Sequence, residues 1–217
     1  LRENGIDLPI LVLMPIDPKY AELAAALDIR LTVTEADWFE RRAEYERSRV
    51  QKDDDPIRPP LKVHIKMDTG LGRIGLRTRA EWDRLVPWLR REDVIAEGLF
   101  THFATAGWAD PSFMKHQFDR FLQMTQWSAA SGISPALTHC CGSASALRFP
   151  EMSLDMIRIG AAAYGFYPAS LAPQWDLKPA LTLRSARRTA ERVLARTGFC
   201  WMACRRSLAK KTASDRS

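Results

Sequence analysis

The sequence predicts an α/β fold assembled from parallel strands, and three observations carry that prediction. Short apolar runs alternate with amphipathic helical stretches over most of the chain. Helix start signals, an Asp-Pro pair or a Thr with Glu three residues on, recur just after those runs. Charged and polar residues gather at the C-terminal ends of the runs, the end where βα barrels place their active sites.

Taken in order, LRENGIDLP reads as the last turn of a helix ending at Gly5. ILVLMP (10–15) is the first strand, followed by Asp17 as N-cap and Pro18 at the first helical position of KYAELAAALD. LTVT (31–34) is the second strand. The segment Thr34 to Asp37 resembles a capping box and opens a charged helix that fades near QKDDDPIRPP, where DDDPIRPP reads as a surface loop. KVHIKMDT (62–69) is the third strand, and Thr78 with Glu81 forms a full capping box for a helix running to about Arg91. AEGLFTHFA (96–104) is the fourth strand, followed by Asp110-Pro111 and a long helix ending near Gly132. ALTHCCG (136–142) and DMIRIGAAAYGF (155–166) supply the fifth and sixth. Repeated βα units imply a parallel sheet, doubly wound or closed as a barrel. Six strands are two short of the eight that close a barrel, and the chain opens on Leu1 rather than Met. The expectation is an incomplete (β/α)8 TIM-type barrel of about six βα units, its first strands lying before residue 1.

Composition narrows the class. At 46 % hydrophobic and 27 % charged over 217 residues, the chain suits one sizeable globular domain. No apolar run approaches the roughly 20 residues that span a bilayer, and no signal-peptide pattern opens the chain, so no membrane association is expected. Four cysteines form no disulfide framework at this length, which points weakly to a cytoplasmic setting. Cys200 and Cys204 make a poor zinc half-site without a second pair or a nearby His, so no metal is expected. Cys140 and Cys141 read as small apolar fillers on a buried strand. The net charge of +6 is uneven. Residues 186–217 hold nine Lys/Arg against two acids, leaving 23 basic and 24 acidic residues in the rest. That basic tail reads as a solvated helix or disordered segment rather than a nucleic-acid arm.

GLGRIG (70–75) spells the G-x-G-x-x-G fingerprint of a dinucleotide loop, which would make the chain a nucleotide-binding oxidoreductase. The register argues otherwise. The strand before it carries Lys66 and Asp68, and the helix start signal at Thr78 lies beyond the third glycine, so no helix N-terminus faces the loop. Read as barrel strand ends, Lys66, Asp68, Thr101, His102, Thr138, His139 and Arg158 would share one mouth, with Arg73 in the loop of the third strand. The glycines at Gly142 and Gly160 add close-approach loops of the kind that bind phosphate through backbone N–H groups. Residues alone thus reach a phosphate-bearing ligand, cations around it and acid–base chemistry.

Four segments, KMDTGLGRIG, GLFTHFATA, HCCGSASALRFP and IRIGAAAYGFYP, are similar in order and separation to bacterial alanine racemase, a fold-type III pyridoxal-phosphate enzyme. The resemblance covers about residues 1–185; residues 186–217 do not match and are read as a different reading frame or unrelated terminus. It implies an interior fragment, a partial pyridoxal 5'-phosphate-binding barrel lacking the barrel's start and the C-terminal β-domain. It further implies interconversion of L- and D-alanine to supply D-alanine for cell-wall peptidoglycan, in a homodimer. Residue by residue, Arg73 would help place the substrate carboxylate, and Lys66 would be the lysine carbamylated in many members, orienting Arg73. His102 would hydrogen-bond Arg158, and Arg158 would face the pyridine nitrogen. Ser143, Gly160 and the backbone of Ala161 would hold the phosphate. Gly142 stands where the family usually has Asn, and Leu71 where Met is common. The Schiff-base lysine motif and the tyrosine base have no counterpart, so no residue here takes either catalytic role and the chain by itself is expected to be inactive, or a non-catalytic remnant. An incomplete barrel would also leave sheet edges and apolar helix faces open, predicting poor solubility.

Overall fold

The computed structural model describes residues 1–48, 59–166 and 177–180, and in it five parallel strands lie side by side in chain order. They are β1 (Ile10–Val12), β2 (Ile29–Val33), β3 (Leu61–Lys66), β4 (Val94–Phe100) and β5 (Leu137–His139). The helices are α1 (Ala21–Ala26), α2 (Asp37–Ser48), α3 (Arg79–Leu89), α4 (Ser112–Ala130) and α5 (Ser143–Arg148). The basic tail, Cys200, Cys204 and most of the QKDDDPIRPP loop lie outside the described residues.

Period-two alternation gives the sheet two unlike faces. Leu31, Val33, Val63, Ile65 and Leu99 join the helix residues Trp38, Phe39, Trp82, Leu85 and Phe121 in one apolar core. Each such side chain contributes about 1.5–3 kcal/mol by leaving water. The residues between them, Arg30, Thr32, His64 and Lys66, point the other way and are buried too. Two core tryptophans keep their N–H groups satisfied: Trp38 donates to the Ile16 carbonyl at 2.7 Å and Trp82 to Ser131 Oγ at 3.0 Å.

Helix starts follow the sequence signals, with one exception. Thr78 accepts from the Glu81 N–H at 3.2 Å, and Glu81 accepts from the Thr78 N–H at 3.0 Å, completing the capping box of α3. Asp17 caps the turn begun by Pro18, accepting from the Lys19 N–H at 3.0 Å, but the turn is a 3₁₀ helix (Pro18–Tyr20) leading into α1. Gly5 and Gly132 end their helical segments at φ 74 and 67, the left-handed conformation glycine adopts without strain. The exception is α2. Thr34 does not cap it; the chain stays non-helical through Glu35, and the Ala36 carbonyl accepts the first helical bond, from the Phe39 N–H at 2.9 Å. Asp37 instead pairs with Arg84 of α3 at 2.6 Å.

The sixth run, DMIRIGAAAYGF, is not a strand. It meets the sheet at one parallel bridge, Gly142 to Arg158, and then turns as a 3₁₀ helix (Ala161–Tyr164) ended by Gly165 at φ 78. Its alternating Ile157 and Ile159 are both exposed, so the pattern has no apolar face to bury. Thr138 gives its N–H and O–H to the side chain of Asp155, at 2.7 and 2.6 Å, where a paired strand would offer backbone.

Candidate active site

β3 ends on Lys66, a residue only 2 % exposed. Its ammonium donates to the Met67 carbonyl at 2.7 Å and lies 5.5 Å from the centroid of Phe100. Burial is the main reason its pKa falls to about 8; Arg158 and Arg73 push the same way, against Asp68.

The glycine loop that follows folds around a carboxylate of its own chain. Asp68 Oδ1 accepts the N–H groups of Gly70 at 3.2 Å and Gly72 at 3.0 Å, and Oδ2 accepts from Arg77 Nε at 3.0 Å. Burial raises the Asp68 pKa, but those donors outweigh it and hold the carboxyl below its ordinary value. Leu76 then pairs back on β3, its N–H donating to the Lys66 carbonyl at 2.9 Å. Gly75 sits where this return is tightest. Its φ is +114, and a Cβ there would lie 2.7 Å from the Lys66 carbonyl oxygen. The loop's donors are therefore turned inward, and α3 begins only at Arg79, which overturns the nucleotide-loop reading. Arg73 stands exposed on this loop and makes no hydrogen bond or ion pair among the described residues.

Arg158 is reached through the bridge to Gly142, its own N–H donating to the Cys141 carbonyl at 3.0 Å. Its guanidinium is held from several sides. Nη2 donates to the Thr101 carbonyl at 2.7 Å and the Cys140 carbonyl at 3.1 Å, and Nη1 to His139 Nδ1 at 2.5 Å. The expected bond to His102 is present only at the limit, 3.4 Å, so His139 is the principal imidazole partner. Phe100 underlies the group, with Arg158 5.3 Å from its centroid and the His139 ring stacked on it at 4.8 Å. Burial followed by the neighbouring cation Arg158 drives the pKa of His102 down to about 4 and that of His139 to about 2, so both are neutral near pH 7. Burial also lowers Arg158 itself.

Ser143 opens α5, and its Oγ accepts the N–H groups of Gly160 at 2.9 Å and Ala162 at 3.2 Å. The Ala161 N–H between them takes no part in that wrap, and the hydroxyl keeps its own hydrogen to donate. His102, Ser143, Arg158, Gly160 and Ala161 all line one pocket of about 330 Å³, the low end of the size of small-molecule sites. Lys66 and Arg73 are not on its wall; Arg73 lines a separate pocket of about 340 Å³ with Thr34 and Arg84. Cys140 and Cys141 are buried, as expected, but lie just past β5 and both direct Sγ toward the Met152 carbonyl. The partnerships of His139 and His64 were not legible as such, although His64 shares the face of Lys66 by strict alternation, a signal the sequence does carry.

The model for the alanine racemase N-terminal domain matches residues 1–168. The chain belongs to the alanine racemase N-terminal domain family. Alanine racemase of Anoxybacillus flavithermus is 41 % identical over 192 residues, covering 85 % of this chain and 46 % of that protein. The enzyme of Geobacillus stearothermophilus is 42 % identical over 182 residues, covering 83 % and 42 %. The structure of Bacillus anthracis alanine racemase with bound L-Ala-P superposes at a TM-score of 0.74, with 34 % identity over 82 % of this chain and 45 % of that one. The chain thus spans about half the length of the curated relatives it matches. The five-stranded parallel sheet is the corresponding part of the racemase barrel.

Proposed function

We propose that this chain carries the cofactor-binding part of a pyridoxal 5'-phosphate-dependent alanine racemase, interconverting L- and D-alanine. The observation that carries the reading is the convergence of His102, Ser143, Arg158, Gly160 and Ala161 on one pocket. These residues fit the cofactor's two polar ends. The Ser143 hydroxyl and the Ala161 N–H left between those two bonds offer neutral donors to a phosphate, while Gly142, with no side chain, leaves that wall open. Arg158, fixed by three acceptors, would meet the ring nitrogen as a permanent cation and keep it unprotonated. When bound, the cofactor draws off the electron pair left at the amino acid's Cα as its proton is removed. Arg73, exposed and unpaired among the described residues, would take the substrate carboxylate, with Lys66, carbamylated, orienting it. No residue of this chain is given the role of covalent lysine or second base. Residues 1–185 would form the racemase-like part and 186–217 a tail outside it. The working enzyme would be a cytoplasmic homodimer serving peptidoglycan synthesis; no described helix is long and apolar enough to cross a membrane.

The test is equilibrium dialysis of the purified 217-residue chain against pyridoxal 5'-phosphate and, separately, NAD. Saturable cofactor binding, weakened about tenfold or more by Ser143→Ala and by Arg158→Leu, is expected. Binding of NAD without pyridoxal phosphate would sink the proposal. The chain alone is expected not to racemise L-alanine, and measurable turnover would overturn the assignment of both bases outside it.

A further inference from the structure

Behind Arg158 a line of buried polar groups crosses the polar face of the sheet. His139 Nε2 and His64 Nδ1 are 2.9 Å apart, and His64 Nε2 is 3.1 Å from Glu97 Oε2. Glu97 is held in turn by Arg30 Nε at 2.9 Å, and Arg30 by Asp28 at 2.8 Å. One end of the line is a guanidinium, which can only donate, and the other a carboxylate, which can only accept. These ends leave two neutral imidazoles one arrangement. Arg158 donates to His139 Nδ1, so the His139 proton is on Nε2 and points at His64 Nδ1. The His64 proton is then on Nε2 and points at Glu97. Both histidines are held neutral, burial being the main cause in each.

The backbone makes room for this line twice. The β3–β4 register shifts between Val63 and His64, so that Val63 pairs with Ala96 but His64 with Gly98, and Glu97 is the extra residue of a bulge. A bulge re-aims a side chain, here the carboxylate beside His64. Next to it, Gly98 is the residue a side chain would ruin, because any Cβ there would run into the His64 ring. Neither device serves the apolar core on the other face.

We propose that His64 and Glu97 are positioning residues, acting through His139 to hold Arg158 as a fixed donor toward the pocket. Four strands contribute: Arg30 from β2, His64 from β3, Glu97 from β4 and His139 from β5. The bond order along the line stands on its own; its use in steadying a cofactor rests on the pyridoxal-phosphate reading.

The test separates the two. Long-range ¹H–¹⁵N spectra of the full chain, labelled at its four histidines, read the proton position on each ring without any cofactor. His64 and His139 should both be neutral with the proton on Nε2 at about pH 7 and above. A proton on His139 Nδ1, or a charged His139 near pH 7, overturns the proposal. Glu97→Leu should mix the proton positions on His139, two groups away, and weaken pyridoxal 5'-phosphate binding about tenfold, whereas Glu97→Gln, which keeps an acceptor, should restore both. Unchanged His139 signals in a folded Glu97→Leu protein would refute the relay; if that variant does not fold, the wild-type spectrum decides. Correct proton positions in a chain that never binds the cofactor would leave the relay standing and remove the cofactor reading alone.

Discussion

Replacing Lys66 by Met isolates the cost of burying its charge. Met is unbranched and of similar length, so it can follow the lysine's path beside Phe100 without strain. The folded-state pKa of about 8 lies below the ordinary 10.5, a gap equivalent to roughly 3 kcal/mol at about 1.4 kcal/mol per pH unit. Against this, the Met67 carbonyl loses its 2.7 Å donor, about 1 kcal/mol, and the contact with Phe100 loses its charge, about 0.5 kcal/mol. The variant should therefore be more stable than wild type near pH 7 by roughly 1–2 kcal/mol. The sign follows from the depressed pKa. Below about pH 8 lysine is charged in both states and the wild type carries the whole penalty; between about 8 and 10.5 the folded protein has lost the proton and the unfolded chain has not, so wild-type stability climbs. Above that window the penalty is gone and the variant should be the less stable by about 1 kcal/mol. Urea unfolding of both proteins in CO₂-free buffer at pH 7 and pH 10.5 measures the difference, with other titrating groups cancelling. A Met variant less stable at pH 7, or a difference that does not change with pH, refutes the uncompensated charge.

Three further outcomes test the loops and caps. Gly75→Ala should cost roughly 3–5 kcal/mol by denaturant unfolding, through its φ of +114 and the 2.7 Å overlap with the Lys66 carbonyl. Gly160→Ala, at φ −114 with open space beyond it, should leave stability within about 0.5 kcal/mol although it lines the pocket. Thr78→Ala should lower stability by about 1 kcal/mol, the value of an N-cap, with the loss appearing in helix α3 by hydrogen exchange.

The parts of the fold that the sequence made legible are those governed by local chemistry. Thr78 with Glu81, Asp17 before Pro18, and Gly132 after α4 each act through bonds within a few residues, so their spelling is their structure. Thr34 failed because a capping pattern says nothing of where the preceding strand lets go, and here the chain runs on to Ala36. The sixth run failed for the reverse reason: alternation reports a strand only if one face is buried, and Ile157 and Ile159 are not. At the site, the strand-end rule singled out Lys66 and His102 beside β3 and β4, and also Arg158, which lies on a single bridge rather than on a strand. It could not find Glu97, because a bulge changes which residue faces His64 and a bulge is a property of two strands together.

The electrostatics of the mouth give an independent reason to expect an anion there. Arg158 and Arg73 both lower the pKa of Lys66, and all three cations lower that of His102. The acids nearest to them are committed elsewhere. Asp68 is taken by the glycine loop and Arg77, and Glu97 by Arg30 and the imidazole of His64. The buried Lys66 and the half-buried Arg158, with the exposed Arg73 and without a free carboxylate among the described residues, are held together by the fold against mutual repulsion. A ligand bringing a phosphate near Ser143 and a carboxylate near Arg73 would relieve that repulsion at both ends. Linkage then requires the reverse: with Lys66 uncarbamylated, such a ligand raises the pKa of Lys66 and stabilises the folded chain as it binds.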